Sequence, residues 1–207
     1  MTPPEPTVFI VDDDRSVREA LISLLRSAGL RAQAFASASE FLCCPRDAGP
    51  ACLLLDMRLP ELTGLDLQRR LTENGESPSI VFVTGHGDIS TSVRAMKAGA
   101  VDFLTKPFDG DEMLAAVRRA LERDRRAREL RALAADLQIN FVRLTRRERE
   151  VMGLVVRGLL NKQIAATLGI AEITTKVHRR RVMQKMKATS LPDLVRMAEH
   201  LHQTTYT

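Results

Sequence analysis

The 207-residue sequence contains no apolar run approaching the ~18 residues that a membrane-spanning helix needs. Met1 to Pro6 lack the basic and apolar parts of a secretory leader. The expected compartment is the cytoplasm, with no membrane partner. Cysteine is scarce. Cys43, Cys44 and Cys52 are odd in number and lack zinc spacing, so they fit neither a disulfide framework nor a zinc site. Small buried or half-buried thiols are expected.

What remains is an ordinary globular composition, 44% hydrophobic and 28% charged. The length suits one large domain or two small ones. Charge favours two. Residues 1–120 carry 17 acids and 13 bases, a net −4, whereas residues 121–207 carry 9 acids and 18 bases, a net +9. An acidic half joined to a basic half points to two modules, the second with a polyanionic partner.

The first half alternates apolar runs with amphipathic stretches. Thr7–Val11, Arg31–Phe35, Ala51–Leu55, Ser79–Val83 and Ala100–Leu104 read as strands, several buried on both faces. Val17, Leu21, Leu24, Leu25 and Ala28 share one helix face, which Gly29 ends. Leu65, Leu67 and Leu71 mark a second helix, and Val93, Met96 and Lys97 a third before Gly99. A fourth opens near Asp109; Ala38–Leu42 is short, and Cys43–Pro50 reads as loop. This alternation predicts a doubly wound parallel sheet. Arg118–Gln138 has no breaker and reads as a helical linker; unbroken from Asp111 it spans about 42 Å.

The last 65 residues carry no strand pattern. Thr145-Arg146-Arg147-Glu148 is a capping box opening one helix, and Gly158 ends it. Asn161 is the expected cap of a short helix ending at Gly169. A basic helix follows from Ile173 to Met186, and Ser190 opens a fourth. Two short helices joined by a glycine-containing turn match helix-turn-helix.

Position gives the acids their meaning. Asp12 and Asp13 follow the first strand, Asp56 ends the third, Thr84 ends the fourth and Lys106 follows the fifth. In a parallel sheet all five lie at the carboxyl edge, where open α/β folds place ligands. Three converging carboxylates repel unless a hard cation neutralises them, and oxygen-only ligands favour Mg2+. A carboxylate at the centre of such a site can attack phosphorus and become an aspartyl phosphate. Asp56, on the central strand, is the best candidate. Lys106 stabilises charge on phosphoryl oxygens, and the Thr84 hydroxyl can hydrogen-bond one of them.

Val11-Asp12-Asp13-Asp14, Leu55-Asp56-Met57-Arg58-Leu59-Pro60, Thr84-Gly85-His86-Gly87 and Lys106-Pro107-Phe108 resemble the receiver domain of two-component response regulators. Leu144–Val151, Asn161-Lys162-Gln163-Ile164-Ala165 and Lys176-Val177-His178-Arg179 resemble the LuxR-type DNA-binding domain. Together they resemble the FixJ–NarL family of transcriptional regulators, across residues 7–202. The resemblance implies a CheY-like doubly wound (βα)5 receiver over 1–120. A helical linker over 121–140 and a four-helix LuxR-type helix-turn-helix domain over 141–207 follow. It implies phosphorylation of Asp56 by a sensor histidine kinase, then homodimerisation and promoter binding, with RNA polymerase as a further partner. It implies Asp12, Asp13, Asp56 and the Arg58 carbonyl as Mg2+ ligands, Thr84 and Phe103 as switch residues, and a cis Lys106–Pro107 bond. His86 is expected to be a loop residue without a catalytic role.

By family position Lys176, Val177 and Arg180 are the expected base contacts, with Asn161, Lys162, Thr174 and Arg179 on the DNA backbone. The expected inward face of the basic helix is Val177, Val182 and Met186, which leaves Lys176, Arg179, Arg180, Arg181 and Lys185 mostly outward. Two departures stand out. Ala171 replaces the usual Ser cap, which Glu172, Thr174 or Thr175 could fill instead, and Thr175 replaces a usual Val. The expected dimer face is Val93, Met96, Lys97 and Phe103. Two other classes compete. A metabolite phosphatase needs an acid/base carboxylate two residues beyond the nucleophile, where Arg58 stands. A phosphorylation-independent DNA-binding protein is disfavoured because all five site positions are filled. The expectation is that the chain is not an enzyme beyond its own phosphorylation and dephosphorylation.

Overall fold

The computed structural model describes residues 5–45, 49–85 and 89–204. His86 lies outside the described residues. The chain divides into two compact units, Met1–Arg128 and Glu129–Thr207.

In the first unit the expected alternation is present: β1 (Thr7–Val11), α1 (Arg15–Ser27), β2 (Arg31–Phe35), α2 (Ala38–Cys43), β3 (Ala51–Asp56), α3 (Gly64–Glu73), β4 (Ser79–Thr84), α4 (Ile89–Lys97), β5 (Asp102–Thr105) and α5 from Gly110. The strands form one parallel sheet in the order β2-β1-β3-β4-β5. Helices cover both faces. Leu21 and Leu25 of α1 pack with Met113, Val117 and Leu121 of α5 on one side. Phe41 of α2, Leu67 and Leu71 of α3 and Ala95 of α4 pack on the other. The apolar strands therefore follow from burial on two faces.

Several boundaries differ from expectation, and β3 and β4 each run one residue further, to Asp56 and Thr84. β5 starts at Asp102 rather than Ala100. The Ala100 N–H still bonds the Ala95 carbonyl (3.1 Å), and Gly99 at φ +92° reverses the chain, so residues 99–100 finish α4. α2 extends to Cys43, whose thiol is exposed, not buried; Cys44 is half-buried and Cys52 buried in the sheet. α5 runs unbroken over 33 residues, Gly110–Val142, about 50 Å of helix. Pairs one turn apart, Arg126–Glu122 (2.7 Å) and Arg128–Asp124 (2.5 Å), support its middle.

The second unit contains the last turns of α5 and α6 (Arg146–Val156), α7 (Asn161–Leu168), α8 (Glu172–Met186) and α9 (Leu191–Thr204). Val151, Val155, Ile164, Val182, Met186, Leu194 and Ala198 form its core, against which Leu137 and Phe141 pack. The Thr145–Glu148 capping box forms as expected. The α7 cap does not. Leu160 occupies the cap position and Asn161 is the first helical residue. Gln163 Oε1 accepts the Leu160 N–H (2.8 Å), and Asn161 Oδ1 accepts instead from Arg179 Nη1 (3.2 Å). At α8, Ala171 caps without a side-chain bond. Glu172 is turned to Lys176 (3.1 Å), and the Thr175 hydroxyl donates to the Ala171 carbonyl (3.3 Å).

Candidate functional site

The parallel sheet brings four segments to one rim. Asp12 follows β1 and is 2% exposed; its Oδ1 accepts the Asp14 N–H (2.9 Å), which fixes the turn into α1. Asp14 then caps α1 by accepting the Ser16 N–H (2.8 Å). Arg18 Nη1 donates to the Asp12 and Asp13 carbonyls (2.7 and 2.9 Å), so the acidic turn is held from behind. Asp56 ends β3 beside Val83 of β4. Thr84, buried at the end of β4, accepts the Lys106 N–H at its carbonyl (2.7 Å). The Lys106–Pro107 bond is cis, as expected.

Carboxylate oxygens of Asp12, Asp13 and Asp56 lie within 4.8 Å of one another. Lys106 Nζ reaches Asp12 Oδ2 at 2.7 Å and Asp56 Oδ2 at 3.6 Å. Partial burial raises the Asp56 carboxyl above its ordinary range; Lys106 and the Arg58 N–H oppose this, and Asp12 and Asp13 add to it. Burial depresses the Lys106 ammonium, but its bond to Asp12 and the charges of Asp12 and Asp56 outweigh this and raise it. Three carboxylates facing one ammonium leave an excess of negative charge. An all-oxygen donor set of this kind fits a hard divalent cation. Arg58 is the second residue after Asp56, and its N–H donates to Asp56 Oδ1 (3.3 Å).

One rim residue was missed in the sequence. Gly64 opens α3, and a Cβ there would lie 2.6 Å from the Asp56 carbonyl oxygen. The Gly64 N–H bonds the Met57 carbonyl (2.9 Å), so α3 sits directly on the loop that follows Asp56. A glycine opening a helix eight residues beyond a site carboxylate was the available signal.

Away from the rim, Val93, Met96 and Lys97 share an exposed face of α4, at i, i+3 and i+4. Phe103 on β5 is half-buried and packs against the α2–α3–α4 core cluster.

On α8, Lys176, Val177 and Arg180 are exposed, Thr174 and Arg179 are half-buried, and on α7 Asn161 is half-buried and Lys162 exposed. The inward face differs from expectation. Val182 and Met186 are buried as expected, but Val177 is 44% exposed and Thr175 is buried in its place. Thr175, Val182 and Met186 recur at i, i+7 and i+11, the spacing of a single helix stripe, whereas Val177 falls off it. Lys185 is not an outward base. Its Nζ bonds the buried Glu148 Oε2 (2.6 Å) and the Arg143 carbonyl (3.2 Å), tying α8 to the start of α6. Glu148 thus caps α6 and anchors α8 together.

Comparison with known proteins agrees with this geometry. Residues 8–118 match the response regulator receiver domain, and residues 142–198 match the bacterial regulatory proteins of the luxR family. Nodulation protein W of Bradyrhizobium diazoefficiens is 53% identical over 94% of this chain and 86% of its own length. Response regulator protein TodT of Pseudomonas putida is 50% identical over the same shares. The structure of the response regulator StyR superposes with a TM-score of 0.86 at 49% identity, over 95% of this chain and 99% of that one. Among the described residues no helix is long and apolar enough to cross a membrane.

Proposed function

The chain belongs to the response regulators that carry a receiver domain and a LuxR-type DNA-binding domain, and from that premise we propose that it is a cytoplasmic transcription factor switched by phosphorylation of Asp56. The observation that carries this reading is the meeting of Asp12, Asp13, Asp56 and Lys106 at one rim. A sensor histidine kinase presents its phosphohistidine, and an Asp56 carboxylate oxygen attacks the phosphorus as the histidine nitrogen leaves. Lys106 offsets the charge gathering on the phosphoryl oxygens. Asp12, Asp13, Asp56 and the Arg58 carbonyl would hold Mg2+, which would supply further charge neutralisation there. Thr84 donates its hydroxyl to a phosphoryl oxygen, and Phe103 follows it inward. The chain turns over no substrate beyond its own aspartyl phosphate.

That movement changes the face made by α4 and β5, a two-state element. Val93, Met96, Lys97 and Phe103 then meet the same residues of a second copy, in a two-fold dimer. Two DNA-binding units read a two-fold promoter site. Lys176, Val177 and Arg180 reach base edges from α8, and Asn161, Lys162, Thr174 and Arg179 hold the phosphate backbone. RNA polymerase is the partner that such a bound dimer addresses.

The test couples the two ends of the chain. Treatment with a small phosphodonor and Mg2+ converts wild type to a dimer and raises its affinity for two-fold DNA. Val93→Glu takes up phosphate normally but stays monomeric and loses the gain in DNA affinity. A phosphorylated Val93→Glu protein that dimerises like wild type overturns the α4–β5 face as the interface. DNA affinity indifferent to the phosphodonor supports the phosphorylation-independent reading instead.

A further inference from the structure

The inward face of α5 is apolar through Met113, Ala116, Val117, Ala120 and Leu121, all buried against the sheet. The next inward position, three residues beyond Leu121, is occupied by a carboxylate. Asp124 is 2% exposed. Its Oδ2 accepts the N–H of Ala51 at 2.8 Å, across 73 residues of sequence, and Arg128 Nε at 2.5 Å. Ala51 is the first residue of β3, the strand that ends in Asp56. Cys52, the next residue of that strand, feels the Asp124 charge: its buried thiol is raised by desolvation and further by Asp124. Asp124 and Arg128 close the last turn of the first compact unit, which ends at Arg128.

Burial of an apolar side chain at position 124 would hold this turn against the sheet without fixing its rotation, because the hydrophobic effect is non-directional. A buried carboxylate behaves differently. It is costly unless its oxygens are paired, so this turn of the helix is held where the carboxylate meets the Ala51 N–H. We propose that Asp124 is a positioning residue for the output of the switch: it locks the turn of α5 that leaves the receiver to the start of the phosphoacceptor strand, and Arg128 completes the lock. The start of the linker is thereby fixed. This rests on the dimeric, two-half-site reading above. In such a dimer the second DNA-binding unit engages its half-site as an intramolecular event, whose strength depends on how narrowly the linker restricts its position. A loosened start to the linker spreads that distribution and lowers the effective concentration at the second half-site, with each unit's own DNA contacts unaltered.

The experiment uses the whole 207-residue chain, phosphorylated with a small phosphodonor. Its probe is a DNA fragment selected from random sequence by the phosphorylated wild type, intact or with one half-site scrambled. Amide hydrogen exchange over residues 113–130 is followed on the same samples. Asp124→Ala takes up phosphate and binds the single half-site as wild type does. Its exchange rises across 122–130 while 113–121 stays slow, and its gain from the second half-site falls by about tenfold or more. Arg128→Ala loses less. Asp124→Asn, which keeps an oxygen for the Ala51 N–H, retains most of the gain. Unchanged slow exchange across 122–130 in Asp124→Ala overturns the anchoring. Fast exchange there with an undiminished second-half-site gain overturns the positioning role. A wild type that gains nothing from a second half-site contradicts the dimeric reading, and the exchange measurement then still decides the anchoring.

Discussion

Replacing Gly64 by alanine puts a methyl group into the floor of the phosphoacceptor loop. The new Cβ lies 2.6 Å from the Asp56 carbonyl oxygen, 3.0 Å from Phe82 Cε1 and 3.2 Å from Leu55 Cγ. Uncharged carbon contacts settle at roughly 3.5 Å or beyond, so the first of these falls short by most of an ångström. Its partner is backbone within the sheet, not the end of a flexible side chain, and Phe82 is fully buried. The strain therefore falls on α3 and on Asp56 itself. Overpacking of this kind costs about 1–3 kcal/mol, and the better helix propensity of alanine returns little at a first helical position. Melting of the receiver unit followed by circular dichroism is expected to drop by ~5–10 °C. Displacement of the Asp56 backbone slows phosphate uptake from a small phosphodonor by about tenfold or more. Gly153 supplies the opposite case. It lies inside α6 with nothing within 4 Å of a Cβ, so Gly153→Ala stabilises the DNA-binding unit by up to about 1 kcal/mol. A Gly64→Ala protein as stable as wild type, with normal uptake, refutes the packing argument.

Glu148 sets an acid limit on the DNA-binding unit. Burial pushes its carboxyl up, but hydrogen bonds from Lys185 and from the Thr145 N–H and hydroxyl outweigh this and hold it below the usual carboxylate range. The unfolded chain then binds the proton more readily than the folded one. The stabilisation is complete above an ordinary glutamate pKa of about 4.3 and is lost as pH falls through the lowered value. Glu148→Gln costs about 1–3 kcal/mol at pH 7 and flattens that slope in urea titrations from pH 7 to 3, whereas an unchanged slope counts against the pairing. Thr175 is wholly buried with a long hydroxyl bond of 3.3 Å, so Thr175→Val raises stability by about 0.5–1 kcal/mol. A loss on that substitution contradicts the view that the hydroxyl is a poor fit in this core.

Much of this was legible in the chain because its signals are local or periodic. β1, β3 and β4 announce themselves as runs of Val, Ile, Leu and Phe, and the rim acids as residues at strand ends. The Thr145–Glu148 capping box is a four-residue pattern and forms as written. What escaped depends on partners distant in sequence. Lys185 looks like one base among many until Glu148, 37 residues earlier, is folded beside it. Asn161 has the chemistry of a helix cap, but Arg179 takes its oxygen. Val177 reads as core by hydrophobicity, whereas Thr175 lies on the stripe that α8 turns inward. Asp124 is indistinguishable from its charged neighbours until Ala51 arrives as its donor. Gly64 shows in the sequence only as a glycine shortly after Asp56, and the approach of the Asp56 carbonyl reveals why a Cβ has no room there.

Intact mass spectrometry of the 207-residue chain after exposure to a small phosphodonor tests the central claim most directly. Wild type in Mg2+ is expected to gain one phosphoryl group that base and hydroxylamine remove, and that disappears with Asp56→Asn and when the cation is chelated. A wild type that gains none, or an Asp56→Asn protein that gains as much, contradicts the assignment of Asp56 as the phosphoacceptor.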